Sequence, residues 1–123
     1  MPKSVLIVDD SPDMGVFVAK VARGLQLDVS VTDNADDFKK NYEANEPDII
    51  VLDIVMPNVD GLELLHYLAD RNCRSRILVM TGYNEIYLRH AKSLGELYGL
   101  PFVETLMKPI ELPDIEKALL GDA

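Results

Sequence analysis

Apolar residues recur along this chain in two alternating rhythms. Short runs rich in β-branched residues, at 5–8, 29–31, 49–52, 77–80 and 102–107, predict five strands. Three of them, 5–8, 49–52 and 77–80, are apolar without interruption, as expected of a parallel sheet covered by helices on both faces. The stretches between carry apolar residues at helical spacing. Ala35, Phe38 and Tyr42 fall on one stripe, and Leu65, Leu68 and Ala69 on a second that opens after Asp60-Gly61. Tyr87, Ala91, Leu94 and Tyr98 form a third, and Ile115, Ala118 and Leu119 a fourth after Pro113. Ser11-Pro12 offers an N-cap followed by proline at the first helical position, and Gly24 a natural stop for that first helix. Repetition of strand then helix predicts an α/β fold, a doubly wound five-stranded parallel sheet built as one domain over residues 1–123.

In such sheets the working site lies at the carboxyl ends of the strands, near the point where strand order reverses. Asp9 and Asp10 follow the first strand, Asp53 the third, Thr81 the fourth and Lys108 the fifth, so all face one crevice. Converging carboxylates repel one another unless a cation neutralises them or their protonation shifts. An oxygen-only cluster suits Mg2+, which takes one or two carboxylates and keeps several waters. Lys108 has the wrong sign for a metal ligand and the right one for a phosphoryl oxygen. With the hydroxyl of Thr81 it could clamp a phosphoryl group while a neighbouring carboxylate serves as nucleophile. Taken singly, Asp9 and Asp10 read equally well as turn or capping residues. Asp53 resists that reading because it interrupts an apolar strand.

Composition narrows the setting. The 123 residues carry a formal charge of −9, which argues against broad binding to nucleic acid or anionic membrane. Much of that charge sits in residues 33–48, where Asp33, Asp36, Asp37, Glu43, Glu46 and Asp48 outnumber Lys39 and Lys40. A single cysteine, Cys73, excludes an internal disulfide and any multi-cysteine metal site, and fits a reducing compartment. No run is long enough for a signal-peptide core or a membrane span, so a cytoplasmic location is expected. His66 and His90 have no metal-ligand partners at useful spacing and read as packing or surface residues. Arg71, Arg74 and Arg76 form the only basic cluster, placed to complement a helix C-terminus.

Taken together, Asp9-Asp10 after Val-Leu-Ile-Val, Asp53 followed by Met56-Pro57 and Asp60-Gly61, Thr81-Gly82 and Lys108-Pro109 resemble the receiver domain of two-component response regulators, the family of the chemotaxis protein CheY. Residues 52–64, LDIVMPNVDGLEL, are the most specific part, and the likeness covers essentially the whole chain. It implies the CheY-like strand order 2-1-3-4-5. It also implies Asp53 as phosphoacceptor from a sensor histidine kinase or histidine phosphotransfer protein. Mg2+ would be held by Asp10, Asp53 and the backbone carbonyl of Val55, with Asp9 acting mainly through water. Thr81 and Lys108 would bind the phosphoryl oxygens, with Gly82 leaving room beside the threonine. Lys108-Pro109 would be a cis peptide. Arrival of a dianionic group would then bias a two-state surface toward a downstream output domain or protein.

The chain departs from that pattern in places. Thr105 stands three residues before the lysine, where receivers commonly carry an aromatic switch residue. The segment 81–108 looks several residues longer than usual, and 95–101 replaces a common Gly-Ala turn. Val55 and Tyr83, which flank the expected water path, are apolar or bulky and imply a long-lived phosphoryl group. The apolar residues Tyr98, Leu100, Pro101 and Phe102 read either as part of a homodimer or partner surface over 97–104, or as core beneath the fifth strand. Residues 102–110 resemble the fifth strand of receivers fused to EAL-type cyclic-di-GMP phosphodiesterases. Residues 121–123 come soon after the last expected helix, so a stand-alone receiver or a fragment of a larger regulator is expected. Among other classes, an aspartate-nucleophile phosphatase of the haloacid dehalogenase type would need an acid where Val55 stands. A flavodoxin-like carrier would need a Ser/Thr-rich phosphate loop after the first strand. A pseudo-receiver working without phosphorylation is kept open by Thr105 and disfavoured by Asp53, Thr81 and Lys108. A signalling receiver, not a turnover enzyme, is the expectation.

Overall fold

A computed structural model describes residues 3–9, 12–53, 55–56, 59–81, 85–100 and 103–121. The elements run β1 (Ser4–Val8), α1 (Pro12–Gly24), β2 (Asp28–Thr32), α2 (Ala35–Ala44), β3 (Ile49–Asp53), β4 (Val55–Met56), β5 (Val59–Asp60), α3 (Gly61–Asp70), β6 (Arg76–Thr81), α4 (Glu85–Tyr98), β7 (Val103–Met107) and α5 (Leu112–Leu120). Five strands form one parallel sheet in the order β2-β1-β3-β6-β7, the expected 2-1-3-4-5 arrangement. The two-residue strands β4 and β5 pair antiparallel in a small ribbon that periodicity did not signal.

Alternation along the uninterrupted strands builds two cores. Leu6, Val8, Ile50, Leu52, Ile77 and Val79 point to one face, against Phe38 and Tyr42 of α2, Leu64, Leu65 and Leu68 of α3, and Ala91 of α4. Val5, Ile7, Ile49, Val51, Leu78 and Met80 point to the other, against Val18, Ala19 and Ala22 of α1 and Ile115, Ala118 and Leu119 of α5. Local signals set the helix ends. Asn34 caps α2 by accepting the Asp37 N–H at 2.8 Å, and Gly121 closes α5 in the left-handed region at φ 76°.

Several expected contacts are corrected. Leu64, off the expected stripe, is buried beside Leu65 and Leu68, while Ala69 packs against them partly buried. Tyr98 is exposed, with its ring edge-on to His66 at 5.0 Å. The reason is that α4 meets the sheet along the small residues Ala91 and Gly95, so close to β7 that a Cβ on Gly95 would lie 2.7 Å from Val103 Cγ2. Within residues 97–104, Leu100 is buried in the core, as the core reading expects of it, whereas Leu97 and Tyr98 are exposed. The three arginines are not one cluster. Arg71 lies over the Tyr67 ring at 3.6 Å and pairs with Glu43, whereas Arg76 donates to the terminal carbonyls of α5 and to Glu104. Ser11, Pro101 and Phe102 lie outside the described residues, as does the side chain of Tyr87. Among the described residues, no helix is long and apolar enough to cross a membrane.

Candidate functional site

The carboxyl ends of β1, β3, β6 and β7 bring the candidate residues together. Asp53 is the last residue of β3 and continues the alternation of Ile49 and Val51, while Asp9, one residue past β1, continues that of Val5 and Ile7. Both carboxylates are therefore sent toward the same side of the sheet. Both are buried, Asp9 at 2% and Asp53 at 5% exposure. Burying two like charges this way is costly unless a cation answers them.

Lys108 supplies that cation. It follows β7 at the far edge of the sheet, and its side chain reaches back across the strand ends, placing Nζ 3.2 Å from Asp9 Oδ2 and 3.3 Å from Asp53 Oδ2. One ammonium thus bridges residues 99 and 55 positions away in sequence. Its backbone is set by β6, because the Lys108 N–H donates to the Thr81 carbonyl at 2.8 Å, one step beyond the Thr81–Met107 pair. The Lys108-Pro109 peptide is cis, as expected. Thr81 closes β6 with 1% exposure, one position beyond the residue paired with Asp53.

Thr32 was missed in the sequence. It closes β2, accepts the Asp9 N–H at 3.1 Å and donates its buried hydroxyl to the Ile7 carbonyl at 2.7 Å. A threonine ending a strand is an ordinary strand residue; only the β1–β2 register puts it beside Asp9.

Two buried carboxylates whose oxygens share one ammonium form a compact set of hard oxygen donors, and that chemistry fits a hard divalent cation such as Mg2+. Among the described residues, no group of three or more His, Cys, Asp or Glu side chains is gathered as a metal cluster. Asp10, Gly82 and Tyr83 lie outside the described residues, and Val55 is described only as the start of β4.

Away from this site, an exposed network links α2 and α3. Glu43 accepts from Tyr67 Oη at 2.9 Å and from Arg71 Nε at 3.1 Å, and these two bonds hold its carboxyl below the usual range. Buried Tyr42 has its phenol pushed well above the usual value, by burial first and by the Cys73 thiol second.

Comparison with known proteins bears on the family and the fold. The chain is 31% identical over 120 residues to the transcriptional regulatory protein TrcR of Mycobacterium tuberculosis, covering 98% of this chain and 45% of that protein. It is 29% identical over 121 residues to the alkaline phosphatase synthesis transcriptional regulatory protein PhoP of Bacillus subtilis, covering 98% of this chain and 49% of that protein. The chain thus spans about half the length of these curated relatives. Its fold superimposes on the Vibrio cholerae chemotaxis protein CheY4 with a TM-score of 0.85 at 21% identity, both chains fully covered. For a signal receiver domain from Bermanella marisrubri the TM-score is 0.84 at 25% identity, with 98% of each chain covered. The family model of the response regulator receiver domain matches residues 5–120. With the strand order, the buried acidic pair and the bridging lysine in place, the chain belongs to the receiver domain family of two-component response regulators.

Proposed function

We propose that this receiver accepts a phosphoryl group on Asp53 from a phosphohistidine and uses it to switch an output surface. The observation that carries the reading is the Lys108 ammonium shared between Asp53 and Asp9 in a buried setting. An Asp53 oxygen attacks phosphorus, the P–N bond of the phosphohistidine breaks, and the imidazole leaves with the electron pair; the product is an acyl phosphate. Lys108 then meets a phosphoryl oxygen at the position it already occupies beside Asp53, and the Thr81 hydroxyl supplies a second donor. Asp9, Asp10, Asp53 and the Val55 carbonyl would hold Mg2+, which when bound offsets the negative charge gathered on the carboxylates and the phosphoryl group. Transfer of Lys108 from two carboxylates to a new dianion changes what holds the end of β7, and this is the proposed origin of the switch.

The partners that follow are a sensor histidine kinase or histidine phosphotransfer protein and, downstream, an output domain or protein. An EAL-type output rests on the likeness of residues 102–110, and a transcriptional output on the names of the relatives above. A cytoplasmic setting suits this partnership. A homodimer through exposed Leu97 and Tyr98 is a further reading of the α4 surface. Thr105, half-buried in β7 opposite Val79, keeps open a second reading in which the domain binds its partner without phosphorylation.

Incubation with acetyl phosphate and Mg2+, followed by intact mass, separates the two. One added phosphoryl group on the wild type and none on Asp53→Ala supports transfer; an unlabelled wild type, or equal labelling of the variant, removes it. Val55 is apolar and Tyr83 is bulky, a pair poorly suited to orienting an attacking water, so the acyl phosphate is expected to outlast a seconds-long time course of phosphate release. Complete release within seconds would contradict this.

A further inference from the structure

Two threonines close strands beside this site, and each receives a backbone N–H from the neighbouring strand's exit: Lys108 on Thr81 at 2.8 Å, Asp9 on Thr32 at 3.1 Å. Thr32 does more. Its hydroxyl, at a residue 7% exposed, donates to the Ile7 carbonyl at 2.7 Å, so Thr32 grips β1 on both sides of Val8. Val8 is the last residue of β1 with a register partner on either flank, Thr32 on β2 and Leu52 on β3. Asp9 therefore leaves the sheet where a parallel ladder ends and strands fray. Its flank toward β2 opens on a cleft that Gly15, Val16, Val31, Asp33 and Asp37 also line. On that side the Thr32 carbonyl ties the Asp9 backbone, and the Thr32 hydroxyl ties that of Ile7.

We infer that Thr32 is a positioning residue for Asp9, aiming its carboxylate at the spot shared with Lys108 and Asp53. Side chains that bind a metal or a reacting group must be held to within about half an ångström, which a frayed strand end does not provide. The inference rests on the metal-binding reading of Asp9 proposed above, and its test keeps the two apart. Thr32→Val keeps the shape and removes the hydroxyl; Thr32→Ser keeps the hydroxyl.

The Asp9 N–H keeps the Thr32 carbonyl as its partner in both variants, so without metal its hydrogen exchange, read by NMR, reports opening of the strand end: about five-fold faster in Thr32→Val, where opening no longer breaks the hydroxyl bond to Ile7, and near wild type in Thr32→Ser. The Mg2+ dissociation constant, from calorimetry, is expected to follow the same order. Unchanged Asp9 exchange in Thr32→Val overturns the positioning role, and faster exchange with unchanged Mg2+ affinity overturns its link to the metal. A wild type that binds no Mg2+ removes the metal reading itself, while the amide still decides whether Thr32 holds Asp9. Should Thr32→Val not fold, Thr32→Ala against Thr32→Ser gives the same comparison.

Discussion

Lys108 neutralises part of a charge that burial alone would not tolerate. Its side chain is 18% exposed, against 0% for Asp9 and 7% for Asp53, so the ammonium is the wetter member of the set. Removing it takes the ammonium from two buried carboxylates. Lys108→Met is expected to lower stability by about 1.5–3 kcal/mol in metal-free buffer, the range for a hydrogen bond to a charged group. Added Mg2+ should then stabilise the variant more than the wild type, because the divalent ion takes over the lysine's electrostatic role. Paired melts with and without Mg2+ test this. Equal Mg2+-induced shifts in both proteins would mean that Lys108 and the cation do not compete for the same oxygens.

At the scale of elements, α4 shows how a small residue decides where a helix lies. Gly95 faces Val103 so closely that any side chain must displace it. In an exposed helix Gly→Ala gains up to about 1 kcal/mol from propensity; here overpacking costs about 1–3 kcal/mol and outweighs it. Gly95→Ala is therefore expected to destabilise, and Val103→Ala in the same chain to recover part of the loss. Denaturant midpoints of the two single variants and the double variant give the coupling directly. The same close approach turns Tyr98 away from the core, and one register step from Val103 Arg76 ties β6 to the C-terminus of α5 and to Glu104 of β7. Its guanidinium also lies 3.1 Å from where a Gly121 Cβ would stand, so glycine serves there both the left-handed turn and the arginine.

For the whole molecule, pH reaches the core through Tyr42. Its phenol is raised far above the usual value near 10 by burial and by Cys73, so folding favours the protonated form. The stabilisation is fully present below the unfolded value and is lost as pH rises beyond it. Urea midpoints are accordingly expected to fall from about pH 10 upward, and to fall less steeply in Tyr42→Phe; equal slopes would contradict this. Charge and pattern together carried much of the whole-molecule picture. Uninterrupted apolar strands and helical stripes determined the fold class, because periodicity records which faces must leave water. Asp53 was legible as a site residue because a carboxylate in an apolar strand has no turn to serve. That Asp9 and Lys108 share its crevice was legible too; that one ammonium bridges both carboxylates was not. Lys108 meets Asp9 and Asp53 only because strand order sets the exit of β7 within reach of β1 and β3. Thr32, Gly95, Arg71 and Arg76 likewise take their roles from neighbours distant in sequence. Apolar periodicity is a local property of the chain, whereas a contact between a residue and its partner depends on strand register and on the depth at which a helix settles, and those exist only once the sheet has formed.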